Sequence, residues 1–409
     1  MTNRLKENIL SLFTLKGAEY IVSFITLPYL LRVLGPASYG KILFFESIVA
    51  YGVLFTDYGF NLTGPRDVAK ADEKDLPKEF SAIFASKLLL LCVALIVGAP
   101  LTLLLGERLD TTLLIAASPA LFGAVLFPIW YFQGIQQMRF ITIFNLAART
   151  ISVILIFALV NTEEDTALAT LLLASPPLIA GIFSLIMLFI KSPQIFKIPS
   201  LKEVVNKIKA GFEIFLSTVS INLYTTTNNF LLGFIAGNAA LGLYGAAYKI
   251  IQAIKGVMGP ISNGIFPHIS ALSKQSRPEA IAFLKKATKI LGGASLVLFI
   301  LTFIFADIIV SIIMGEGYME SVELLRIISP LPFLIALSNI FGIQTMVAFQ
   351  FEKLFSRILM ASAAVNFIIG IPLIYQFSSV GLAITTVIVE TFVTVTMYVA
   401  LRKRGIRLI

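Results

Sequence analysis

Apolar runs of about twenty residues or more recur along the whole chain, separated by short polar stretches. Their ends, placed by pattern alone, fall at 9 to 31, 42 to 62, 81 to 105, 110 to 132, 139 to 160, 166 to 190, 211 to 236, 241 to 266, 285 to 306, 321 to 347, 354 to 376 and 380 to 401. A helical crossing of the hydrocarbon core takes about 20 residues, so each run is long enough to span. Hydrocarbon offers no hydrogen-bond partner to a peptide group, and a run of this length satisfies its own backbone only as an α-helix. The pattern therefore predicts an all-α polytopic membrane protein of about twelve transmembrane helices. The first run holds Lys16 and Glu19 and is followed by Leu34-Gly35-Pro36 rather than an A-x-A cleavage site, which reads as a retained span and not a signal peptide.

Composition supports the same class. Of 409 residues, 57% are apolar and 13% are charged, and mean hydropathy is +0.91. The net charge of +9 does not point to nucleic acid, because the basic residues sort by loop. The tails and even-numbered connections carry 23 Lys and Arg, the odd-numbered ones only Arg32, Lys41 and Arg108. The positive-inside rule then places both termini in the cytoplasm of a multi-pass protein. One Cys and one His, Cys92 and His268, lie in unrelated segments, which excludes a disulfide framework, a His/Cys metal centre and a Cys-His nucleophile pair. With short far-side loops and no phosphate-loop or hydrolase motif, neither an enzyme, a cofactor nor a metal is expected.

The longest polar stretch near the middle, 191 to 210, divides the chain into a six-span bundle at 1 to 190, a cytoplasmic linker, and a second six-span bundle at 211 to 409. Sliding the second half back by 202 residues lays Gly237, Ala239 and Gly242 on Gly35, Ala37 and Gly40, and Asn263, Pro267 and Ala271 on Asn61, Pro65 and Ala69. Such self-similarity is the mark of an internal duplication. With an even number of spans per half, the repeats would be related by a pseudo-two-fold along the membrane normal, an architecture of transporters that bind substrate between repeats.

A charge at mid-membrane costs about 2.5 to 3.5 kcal/mol even on the lenient scale, so each one asks for a function or a partner. Arg149 lies near the centre of the fifth span with Asn145 and Ser152 on its face, and Lys249, Gln252, Lys255 and Asn263 share one arc of the eighth span. Arg326 stands near the outer end of the tenth. Together Arg149, Lys249, Lys255, Arg326 and Asn145 form a candidate cationic binding surface, whereas Lys16 and Lys87 read as shallow residues that snorkel to the cytoplasmic side, so that Lys87→Ala would be nearly silent. Among carboxylates, Glu19, Asp57 and Glu390 are the candidates for ion coupling, since only a buried carboxylate changes its charge near neutral pH. Trp130, Tyr131, Tyr224, Tyr244 and Tyr248 could stack on sugar rings, and Pro28, Pro119, Pro128, Pro176-Pro177, Pro260 and Pro330 with Pro332 are expected to interrupt spans.

Three motifs carry a resemblance along essentially the whole chain. Tyr58-Gly59-Phe60-Asn61-Leu62-Thr63, Pro128-Ile129-Trp130-Tyr131-Phe132-Gln133-Gly134, and Ile328-Ser329-Pro330-Leu331-Pro332-Phe333-Leu334-Ile335-Ala336-Leu337-Ser338-Asn339 resemble the O-antigen flippases of the Wzx type. One departure is His268, where relatives often carry Arg. The resemblance implies the multidrug/oligosaccharidyl-lipid/polysaccharide exporter fold in the bacterial inner membrane. It also implies translocation of an undecaprenyl-diphosphate-linked oligosaccharide to the periplasmic leaflet by alternating access, with membrane lipids around it and an O-antigen polymerase and chain-length regulator as partners. A multidrug antiporter of the same fold and a lipid II-type flippase are the alternatives. A cavity for cationic drugs would be dominated by carboxylates, and lipid II-type relatives typically have extra spans. From the loop charges, a reporter fused after Ile409 should be active only in its cytoplasmic form, and periplasmic activity would reverse the topology.

Overall fold

In the computed structural model the backbone is described for residues 3–105, 110–225 and 227–408, and side chains for 25–98, 100, 110–216, 218–219, 227–256, 265–266, 268–273 and 275–408. The regular elements among the described residues are all helices, with α1 (Asn3–Asp57), α2 (Phe60–Lys70), α3 (Leu76–Leu105), α4 (Thr111–Ala117), α5 (Pro119–Leu126), α6 (Ile129–Gly134), α7 (Met138–Leu159), α8 (Thr166–Ala174), α9 (Pro176–Lys191) and α10 (Leu201–Thr225). They continue as α11 (Thr227–Ala236), α12 (Asn238–Gln275), α13 (Arg277–Ile304), α14 (Ala306–Ile313), α15 (Ser321–Ile328) and α16 (Leu331–Asn339), a π-helical stretch at Ile340–Val347, and α17 (Glu352–Lys403). All twelve predicted spans fall on helix. Among the described residues eight stretches are long and apolar enough to cross a membrane, and two of them, Ile25–Lys70 and Glu352–Lys403, run 46 and 52 residues, about twice one crossing. Glu352–Lys403 holds two predicted spans, and Ile25–Lys70 holds the second span and the end of the first.

Single residues break these double-length helices. In α1 the break is Gly35, at φ 69° and ψ 173°, a region open essentially to glycine alone. Gly237, its equivalent in the 202-residue register, precedes α12 with nearly the same geometry, φ 88° and ψ 171°. In α17 the break is Ser378 at φ 52°, and beyond it the chain doubles back. Gly381 packs on the Leu373 carbonyl and Gly370 on Thr385, the pairing of an antiparallel helical hairpin. Prolines end helices at Pro119, Pro128, Pro176 and Pro330 as expected. Pro28 does not: α1 runs through it, since a single missing ladder bond is tolerated in a span whose neighbours re-satisfy the freed carbonyl. Nor does Pro260, since the α12 backbone is helical on both sides of it.

The chain forms two compact units, residues 1–34 with 41–222, and residues 35–40 with 223–409. In lipid, apolar side chains gain little by leaving the solvent, and helices associate by close approach at small residues and by interhelical hydrogen bonds. In the first unit a Cβ on Gly123 would lie 2.4 Å from Leu178 N, and one on Gly181 would lie 3.0 Å from the Leu126 backbone, so α5 and α9 pack side by side and parallel at backbone distance. At one end of this unit Phe80 is ringed by Trp130, Tyr131, Phe84 and Phe196 at centroid distances of 5.4, 5.1, 5.7 and 5.5 Å. That cluster joins α3, α6 and the segment after α9. The same segment is tied down by Ser81, whose Oγ donates to Ile195 O and accepts from Lys197 N. Lys207 of α10 meets Asp67 Oδ2 at 2.9 Å and Glu79 Oε2 at 2.5 Å. Burial opposes its charge, but the two carboxylates outweigh that and hold the ammonium above the ordinary lysine range.

In the second unit the segment 35–40 packs on the start of α12. A Cβ on Gly40 would fall 1.7 Å from Asn238 O, and one on Gly242 would fall 1.8 Å from Pro36 O. The two contacts exchange under the 202-residue register, as a duplicated sequence requires. Gly237→Ala should therefore lower the melting temperature in detergent, by a destabilisation of about 1 to 3 kcal/mol for a non-glycine residue in this region. Gly293→Ala, at an uncrowded helical position, should not lower it, and equal effects of the two would refute the conformational argument.

Candidate functional site

The residues singled out by the sequence fall into separate settings. Arg149 is half-buried at the middle of α7. The Asn145 amide on the same helix donates to the Ile141 carbonyl at 3.1 Å, and Ser152 turns inward to donate to Leu172 O at 2.6 Å, which ties α7 to α8. The stripe predicted along α7 thus narrows to Arg149 and part of Asn145. Lys249 and Gln252 are exposed on α12. Arg326 pairs with Asp307 across α15 and α14, with both side chains about half exposed, at 42% and 53%. The Glu19 and Asn263 side chains lie outside the described residues.

Lys87 corrects the snorkelling expectation. Its side chain has no exposed surface, and Nζ sits 3.3 Å from Asp57 Oδ1. The helix α3 begins at Leu76, before the apolar run, which puts Lys87 about 16 Å along it at 1.5 Å per residue. Asp57 closes α1, and the next two residues, Tyr58 and Gly59, both have positive φ, so the first resemblance motif forms the bend that turns α1 into α2 beside this ion pair. Stacking of Tyr58 on Phe215 at 4.4 Å fixes the bend. Sequence reasoning missed Lys87 because its partner lies 30 residues away on another helix.

The second unit gathers two of the predicted residues into one polar seam. On α12, Tyr244, Tyr248 and Lys255 follow one face at helical spacing. The two rings stack at 5.7 Å with planes 12° apart, and Lys255 Nζ lies 5.9 Å from the Tyr248 centroid, within the range of a cation–π contact. On α17, Thr386, Glu390 and Thr394 follow at i, i+4 and i+8. The Tyr244 and Thr386 hydroxyls are 3.0 Å apart, Ser338 Oγ donates to Glu390 Oε1 at 2.6 Å, and Thr394 Oγ1 donates to both Leu334 O and Glu390 O. Ser338 comes from the third resemblance motif, immediately before the π-helical stretch, a distortion frequent at functional sites. Lys255 and Glu390 act on each other electrostatically without direct contact. The seam offers a cation, an aromatic face and a carboxylate.

Of the predicted sugar-stacking aromatics, Trp130 and Tyr131 are buried in the aromatic core and Tyr244 is sealed between Tyr248 and Thr386. They are structural, because an aromatic ring in a packed core has no free face. Tyr248 is half-buried and keeps the position; Tyr224 lies outside the described residues. No cluster of His, Cys, Asp and Glu suited to a metal occurs among the described residues.

Fold and seam define a multi-pass transporter-type bundle. The fold is shared with the lipid II flippase MurJ in an inward closed conformation, with a TM-score of 0.74 at 13% identity, covering 96% of this chain and 87% of that one. It is shared also with an inward-facing multidrug resistance MATE family transporter of the MOP superfamily, with a TM-score of 0.68 at 14% identity over 94% and 98%. Residues 5–273 match the polysaccharide biosynthesis protein family, and the chain belongs to that family. It is 37% identical over 411 residues, 98% of each chain, to a protein of Escherichia coli (strain K12) named "Putative O-antigen transporter".

The buried pair in the first unit yields a stability prediction. Removing one partner of a buried ion pair costs about 3 to 5 kcal/mol, whereas removing both with apolar isosteres is often neutral. Lys87→Met should lower the melting temperature of the purified protein, and Asp57→Leu added to it should restore most of the loss; an unaffected Lys87→Met variant would show that the pair contributes nothing.

Proposed function

We propose that this chain is a flippase that moves an undecaprenyl-diphosphate-linked O-antigen unit from the cytoplasmic to the periplasmic leaflet of the bacterial inner membrane, by alternating access coupled to an ion gradient, with both termini in the cytoplasm. The observation that carries the reading is the seam in the second unit, where Lys255 lies against Tyr248 within a polar stripe inside an otherwise apolar bundle. A diphosphate is multiply anionic, and a lysine in a low-dielectric setting complements it strongly. The O-antigen transporter name carried by a relative that matches end to end supports the same substrate class. In this reading Arg149, with Asn145 on its own helix, and Lys255, with Lys249 on its own helix, bind the headgroup. Arg326, already engaged by Asp307, contributes least. Glu19, Asp57 and Glu390 are the ion-coupling candidates, and Asp57 would have to leave Lys87 to act. The O-antigen polymerase and chain-length regulator take the product onward, and the protein itself performs transport rather than catalysis.

In cells lacking their own O-antigen flippase, Arg149→Ala and Lys255→Ala should each reduce surface O-antigen at least about tenfold, the scale of a lost charge-assisted contact, at unchanged protein level. Lys202→Ala, an exposed residue at the start of α10, should export normally. Full export by the Arg149→Ala Lys255→Ala double variant at native expression would overturn the headgroup assignment.

A further inference from the structure

Lys87 with Asp57 and Lys255 with Glu390 bring a lysine and a carboxylate together in two different ways. Lys87 and Asp57 are in direct contact at 3.3 Å, and the lysine is wholly enclosed. Lys255 and Glu390 feel each other's charge, yet each is held by something else, Lys255 by the face of Tyr248 at 5.9 Å and Glu390 by the Ser338 hydroxyl at 2.6 Å. Tyr248 is itself fixed by stacking on Tyr244, whose hydroxyl is anchored at Thr386, one turn before Glu390 on the same helix. The Tyr248–Tyr244–Thr386 chain thus links the face of α12 that carries Lys255 to the face of α17 that carries Glu390. A cation–π contact engages the ammonium from one side only, which leaves its N–H donors for an anion.

We propose that Glu390 is an internal competitor for Lys255: its carboxylate and the anionic headgroup of the ligand are alternative counter-ions for one ammonium, and Glu390 sets how readily the headgroup leaves. This deepens the flippase reading and rests on it for the identity of the anion. A carrier that binds a diphosphate too tightly cannot turn over, because binding energy spent equally on the loaded state and the transition state gives no rate. A resident carboxylate close to the cation lowers the affinity of the loaded state and neutralises the lysine once the load has gone, so that the empty carrier does not expose an uncompensated charge. Glu390 acts through Lys255 and is a positioning residue; Ser338 and Thr394, which hold Glu390 from α16 and from its own helix, belong to the same device.

The test uses the purified full chain, binding of farnesyl diphosphate by calorimetry, and transbilayer movement of a fluorescent lipid diphosphate in proteoliposomes. Glu390→Gln keeps the Ser338 hydrogen bond but removes the charge, and it should bind farnesyl diphosphate about five- to tenfold more tightly, as expected from deleting a nearby like charge, while turning over more slowly. Lys255→Met should bind weakly, and adding Glu390→Gln to it should change nothing further. A variant that is merely misassembled loses binding and transport together, so a gain in affinity with a loss in rate separates competition from a structural role. If Lys255→Met weakens binding but Glu390→Gln leaves it unchanged or weaker, the competition is overturned and the headgroup assignment stands. If Lys255→Met binds as wild type does, the headgroup assignment at Lys255 is overturned and the competition falls with it.

Discussion

Hydrocarbon does not solvate charge, and the internal architecture of this protein follows from how each ionised side chain is compensated. Lys87 is compensated by contact, sealed against Asp57 at the bend between α1 and α2. Arg326 is compensated at the end of a helix, where Asp307 meets it and both side chains stay about half exposed. Lys255 is compensated without a direct ion pair, by an aromatic face and by the field of a carboxylate on the facing helix. These three solutions differ in what they permit. A sealed pair fixes the helices that carry it; an exposed pair contributes little either way; an unclosed pair can accept a third partner.

Close approach of backbones is the second organising fact. Glycines stand where helices touch: Gly123 and Gly181 between α5 and α9, Gly40 and Gly242 in the second unit, and Gly381 inside the α17 hairpin. At each of these positions even one added carbon would enter a neighbour's backbone. Such contacts bring carbonyls and Cα atoms to van der Waals distance, and this replaces the solvent-driven burial that would hold a water-soluble bundle together. The Gly35 geometry recurs at Gly237, so the 202-residue register matches backbone conformation as well as residue type.

What was legible in the sequence was whatever depends on neighbours in the chain. The spans follow from run length, and the breaks at Pro119, Pro128, Pro176 and Pro330 follow from local ring sterics. Of the candidate site, Lys255 and Glu390 were visible as charges in apolar runs, and the structure brings these two into one seam. Contacts between distant segments were not legible. No pattern around Lys87 announces Asp57, and nothing near Tyr244 tells that its ring is enclosed while Tyr248, one turn on, is not. Pro28 misled for the complementary reason: its ring predicts a local break, but the surrounding bundle decides whether the helix survives it. The bend at Tyr58-Gly59 was recognisable as a motif, and only the fold shows that it sets Asp57 beside α3.

The hairpin in α17 has a consequence for how the protein is made. Between its two spans there is a single non-helical residue, Ser378, and Gly381 is pressed against the Leu373 carbonyl. A connection this short offers the insertion machinery no hydrophilic loop to pass across the bilayer before the second span arrives. The first arm cannot take up its final position and wait, because its turn is completed only by packing against the second. Residues 352–403 thereby form one unit of membrane integration, a pair of spans joined by a turn too short to act as a separate loop.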